Sequence, residues 1–173
     1  MPQLAQWSNF YVIMGSSAGA LTGLMFVVIV LTRDFQSGSG ARTSHARRSF
    51  ATPTIVHFTA VLSLAGVLSM PGVTRAAMGI ILLGAGAGLL AYVYFVARRG
   101  RHLEVYQPDL EDHAFHFILP SVAYASVVVA GASAWASPST SLYFVAASMI
   151  GLLIIGIHNA WDSAVWMVMR SES

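Results

Sequence analysis

Five stretches of about twenty residues with almost no charge recur along this chain. That length is what an α-helix rising about 1.5 Å per residue needs to cross a hydrocarbon core roughly 30 Å thick. The stretches run from Phe10 to Leu31, Pro53 to Met70, Ala76 to Ala97, Phe115 to Trp135 and Leu142 to Trp161, with turns marked by Pro71-Gly72 and by Ser137-Pro138-Ser139. Neither Gly nor Pro follows the last one closely, so its helix is expected to continue to about Met169. Backbone groups in lipid must bond within their own segment, which makes each stretch a helix. The expected fold is an all-α integral membrane bundle of five transmembrane helices, one membrane domain over residues 1–173. Composition agrees: 56% of the residues are hydrophobic and 9% charged, far from the averages of soluble domains.

Charge placement gives a direction. All nine basic residues are Arg, and eight of them lie between Thr32 and Thr52, between Arg98 and Ala114, or in the C-terminal tail. Arg-rich loops resist translocation, which puts these segments in the cytoplasm, the N terminus outside and the C terminus inside. Only Arg75 falls on the other side. Trp7 and Trp135 suit the outer interface and Trp166 the inner one. The first stretch is too long for a signal-peptide core and has no basic residue before it, so it reads as a retained anchor.

Several function classes drop out. Without Cys there is no disulfide, thiolate metal site or covalently attached haem. The net charge of +2 gives no footprint for nucleic acid. Gln36 to Ala41 reads as a flexible Gly/Ser loop, and Arg42 to Arg48 suits anionic headgroups of the bilayer. Pro108 with Asp109, Glu111 and Asp112 reads as a helix start.

Small residues are patterned. Gly15, Gly19 and Gly23 recur at i, i+4 and i+8 in the first stretch, and Gly84 and Gly88 repeat the spacing in the third. In lipid, such stripes let backbones approach closely, so these glycines are candidates for helix packing within the chain or for an oligomer seam. The bilayer, a second copy of the chain or a larger membrane complex are the expected partners.

Ionisable residues at membrane depth are costly and mark candidate sites. His57 lies about one turn into the second stretch, while His158 and Asp162 stand at i and i+4 near the inner end of the fifth, with Asn159 beside them. The fourth begins with Glu111, Asp112, His113 and His116. Pro120 cannot donate to the carbonyl of His116, which predicts a kink and a freed carbonyl there. His57, His116, His158 and Asp162 therefore share the inner half of the bilayer. Four readings compete: interhelical hydrogen bonding, including an Asp162 pair with Arg47 or Arg48; a proton or cation path titrated by histidine; a divalent metal or haem site; and catalysis by other means. The first is the plainest, and no cofactor is the leading expectation. The Glu-x-x-His pairs of a di-iron bundle are absent.

Gly15-Ser16-Ser17-Ala18-Gly19 matches the G-x-S-x-G of hydrolases, where the serine sits on a strand-to-helix turn. Inside a continuous apolar helix, roughly 10 Å or more in depth from the histidines, Ser17 is expected to serve packing.

Two segments carry a resemblance. Ala20-Leu21-Thr22-Gly23-Leu24-Met25-Phe26-Val27 and Gly156-Ile157-His158-Asn159-Ala160-Trp161-Asp162 resemble those of an uncharacterised family of small bacterial multi-pass inner-membrane proteins. The resemblance implies a bacterial inner-membrane location and transfers no residue role. The functional expectation is a non-enzymatic, oligomeric membrane protein whose His/Asp group tunes proton or cation passage. An accessory subunit of a larger membrane complex and a metal- or haem-dependent redox protein are the alternatives.

Overall fold

A computed structural model describes the backbone of residues 2–35, 42–100 and 113–171, and the side chains of 4–30, 52–98 and 113–165. Among the described residues all regular structure is helical. A short α1 (Pro2–Gln6) precedes α2 (Ser8–Phe35), α3 (Arg42–Leu68) and α4 (Arg75–Gly100). One π turn (Ala114–Ile118) then runs directly into α5 (Leu119–Ser133), and α6 (Pro138–Ser171) follows. Among the described residues, four helical segments are long and apolar enough to cross a membrane: Ser8–Val30, Arg75–Arg98, Ala114–Ser133 and Pro138–Val165. Thr52–Leu68 is a shorter apolar helix. Large apolar side chains such as Ile13, Phe26, Ile80, Val122 and Ile154 face outward, an arrangement that suits lipid as the surrounding solvent.

The helices start earlier or end later than the apolar stretches because polar residues at helix ends still close backbone hydrogen bonds. Thus α3 begins at Arg42, includes the basic segment and carries Pro53 inside it. Ser137-Pro138-Ser139, expected as a turn, is a helix start: Pro138 opens α6, where its missing N–H has no intrahelical role. The hydroxyls of Ser137 and Thr140 meet at 2.7 Å in that first turn. The Pro71-Gly72 turn is as expected, with Gly72 at φ 76°, a conformation that excludes most side chains. Thr74 Oγ1 accepts the Ala77 N–H at 3.2 Å and caps α4.

Packing follows the order α4, α5, α6, α3, α2, each helix against the next, with a lesser contact from α2 to α6. Phe58, Met78, Leu82, Leu142, Met149 and Leu152 are fully buried between them. In lipid, the gain from this core is dispersion and hydrogen bonding, not apolar burial. Ser141 Oγ donates to the Ala130 carbonyl at 2.7 Å, and Ser126 Oγ to the Phe144 carbonyl at 2.9 Å, stitching α5 to α6.

Glycines mark the closest approaches, though mostly not the ones the stripes single out. A Cβ on Gly86 would lie 2.9 Å from the Val128 backbone nitrogen, and one on Gly131 would lie 2.6 Å from that of Leu83, so this pair sets the α4–α5 spacing. Gly156 has the Phe58 ring against it, and Gly79 the ring of Trp135. Of the striped positions only Gly15 is packed, with the Ala65 Cβ at 3.0 Å. Gly19, Gly23, Gly84 and Gly88 face open space. Stripe spacing selects a helix face and not the face's neighbour, which is why the pattern is silent on this point.

Candidate functional site

His57 is 1% exposed, on the face of α3 turned toward α5, and its Nδ1 lies 2.6 Å from the hydroxyl of Tyr124, itself fully buried. A 2.6 Å separation belongs to the range of O–H donors and is short for N–H donors. If the hydroxyl donates, one polar atom of the pair, Nε2, is left over; if the imidazole donates, both the hydroxyl proton and Nε2 are. Leaving a buried group unpaired is costly, so Tyr124 donates and His57 carries its own proton on Nε2. That N–H has no partner among the described residues. Tyr92 of α4 and His116 of the π turn both stand within electrostatic range of this pair.

A second group forms where α6 passes the π turn. His158 Nδ1 and Asp162 Oδ2 are 3.2 Å apart, as the i, i+4 spacing predicts, with the histidine a quarter and the carboxylate half exposed. The Phe115 ring lies flat on the His158 ring, centroids 3.6 Å apart and planes 7° from parallel. Asn159 is buried, points Nδ2 at the Phe115 carbonyl over a long 3.5 Å, and keeps Oδ1 without a partner among the described residues. Ser163 Oγ donates to the Asn159 carbonyl at 2.8 Å.

The π turn brings Phe115 into this position. Pro120 offers no N–H to the preceding turn, and the backbone responds by widening: Leu119 N–H bonds to the Ala114 carbonyl, five residues back. Ser121 Oγ adds a 2.6 Å bond to the Phe117 carbonyl. The expected kink at Pro120 is thus a π turn immediately before it, a form common at functional sites.

The four residues expected to share the inner half of the bilayer have different immediate neighbours. His57 belongs with Tyr124, and His158 with Asp162 and Phe115. His116 lies toward His57, and His113 is exposed, its ring 6.1 Å from that of Phe117. Among the described residues no three His, Asp or Glu side chains come together in a way that could hold a metal ion. Glu111 and Asp112, and the side chains of Arg47, Arg48 and Trp166, lie outside the described residues. Ser17 is on an unbroken helical stretch of α2 and is half-buried, in keeping with a packing role. Sequence reasoning missed Tyr124 and Phe115. Neither is ionisable at neutral pH, but a tyrosine in mid-span, whose hydroxyl must find a partner, was the available signal.

No family model matches the chain, and neither a curated protein nor a solved structure does.

Proposed function

We propose that the chain crosses the bilayer five times, N terminus outside and C terminus in the cytoplasm, and passes protons through its inner half. The observation that carries this reading is the His158–Asp162 pair, an imidazole and a carboxylate at 3.2 Å on a helix of membrane-spanning length. Such a pair can hold a proton on the imidazole facing the carboxylate and release it again as surroundings change. The His57–Tyr124 pair, buried farther inside, supplies a second site that bonds through protons. Large side chains fill the space between the helices, which favours protons moving by hydrogen-bond steps over a hydrated cation moving through one chain. Reconstitution into liposomes with an internal pH dye tests this. A valinomycin-set potential should drive acidification that His158→Ala slows by about tenfold or more, with no matching sodium flux.

A second reading has its own support. Gly19 and Gly23 on α2 and Gly84 and Gly88 on α4 face open space, as docking faces for a second copy or another membrane subunit would. Cross-linking in native membranes, followed by identification of the cross-linked species, tests that reading.

A further inference from the structure

We propose that the chain pairs with a second copy of itself, the α4 of each copy lying in the groove between α3 and α4 of the other. The pairing rests on the docking reading of the open glycines and is independent of proton passage. α3 and α4 follow one another through the Pro71-Gly72 turn, yet they meet only sparsely, because α4 packs on α5 while α3 packs on α2 and α6. The gap between them is a groove running from Val56 to Val67 on one wall and from Ile81 to Leu89 on the other, about 16 Å at 1.5 Å per residue.

The two rims carry different chemistry. On α3, Thr59 and Ser63 line the groove at i and i+4 and are exposed at mid-span. Neither hydroxyl has a hydrogen-bond partner among the described residues. Gly66, one turn on, is open as well. On α4, Gly84 and Gly88 stand at i and i+4 with nothing within 4 Å of an added Cβ, and Ala87 and Ala91 beside them are exposed. So bare a helix face leaves the second lone pairs of its backbone carbonyls uncovered.

The rims complement each other. An unpaired hydroxyl in hydrocarbon is costly, and a lipid tail offers it no acceptor. The carbonyls beside Gly84 and Gly88 of a second copy do. Copies inserted in the same direction are related by a twofold axis along the membrane normal, so each contact is returned by the other copy. The two α4 helices then run parallel and cross at Ile81, Ala85 and Gly88, with the hydroxyl rim of each α3 on the bare face of the opposite α4. Any other helix could fill the groove but would leave the chain's own glycine face uncovered. In lipid, close backbone approach and hydrogen bonds hold such a pair, not apolar area.

The test uses the full chain in liposomes at several protein-to-lipid ratios. Because the chain has no Cys, Ile81→Cys should give a covalent dimer on oxidation with copper phenanthroline, and Ile13→Cys, facing outward on α2, should not. Energy transfer between dyes on the N-terminal amines reads the dissociation constant. Gly84→Ile, whose side chain meets open space in the single chain, should raise it by about tenfold or more. Thr59→Val should raise it roughly threefold, the worth of one interhelical hydrogen bond in lipid. Gly19→Ile should leave it unchanged. A dimer that Gly19→Ile weakens and Gly84→Ile does not, or one cross-linked through Ile13→Cys alone, would overturn this pairing while keeping the docking reading. A single copy at every ratio would overturn the pairing outright, and the docking reading would fall with it only if native membranes also gave no cross-linked species.

Discussion

His57 and Tyr124, 67 residues apart in sequence, share a hydrogen bond of 2.6 Å that ties α3 to α5 in the centre of the bundle. Tyr124→Phe removes the donor and leaves Nδ1 as a buried acceptor without a partner, so it should cost about 1–3 kcal/mol of stability. Denaturation of the detergent-solubilised protein measures this. His57→Phe combined with Tyr124→Phe should cost less than the sum of the two, because the second change removes a group already orphaned. Strict additivity would mean that the pair is not coupled.

Gly131 and Gly84 are both glycines in apolar helices, yet they should respond oppositely to one added methyl group. Gly131→Ala places a Cβ 2.6 Å from the Leu83 backbone nitrogen, which forces α4 and α5 apart and should cost about 1–3 kcal/mol. Gly84→Ala meets open space and should leave the isolated chain's thermal midpoint unchanged or slightly raised, as alanine favours helix. If Gly84→Ala instead lowers the midpoint in a concentration-dependent way, that face is covered by a second copy.

The proposed direction across the bilayer predicts a labelling pattern. The absence of Cys makes single-cysteine probes clean. Thr74→Cys and Ser137→Cys, in the two short connections, should react with a membrane-impermeant maleimide added outside right-side-out vesicles. Arg98→Cys should react only after the vesicles are opened. The reverse pattern would invert the orientation.

Much of the helical architecture was legible because lipid leaves the backbone so few options. The apolar stretches locate the membrane-length helices, and the Pro71-Gly72 connection falls where a residue at positive φ is needed. The i, i+4 relation of His158 and Asp162 was legible for the same reason, being set by one helix alone. What two helices do together was not. The partner of His57 depends on the rotation of α3 and α5 about their axes, which similar apolar faces leave unspecified. Gly19 and Gly131 look alike as letters, but one faces open space and the other a backbone. The π turn before Pro120 is a local response to a missing N–H, and the letters alone do not fix the form of that response.

Stacking of Phe115 on His158 fixes the imidazole plane relative to Asp162. Phe115→Leu keeps an apolar side chain but removes the flat surface, so the His158 ring should gain rotamer freedom. Proton flux is then expected to fall while the fold is kept, with the ring's mobility followed by ¹³C-labelled histidine relaxation. An immobile ring in the variant would assign the orientation of His158 to other neighbours.

The most direct measurement is proton uptake by liposomes holding the wild-type chain or Asp162→Asn, under the same imposed potential. Asparagine keeps the size of the side chain and removes its charge, so the account predicts rapid uptake in the first and a loss of about tenfold or more in the second. Equal uptake by both proteins, or none by the wild-type chain above empty liposomes, would contradict it.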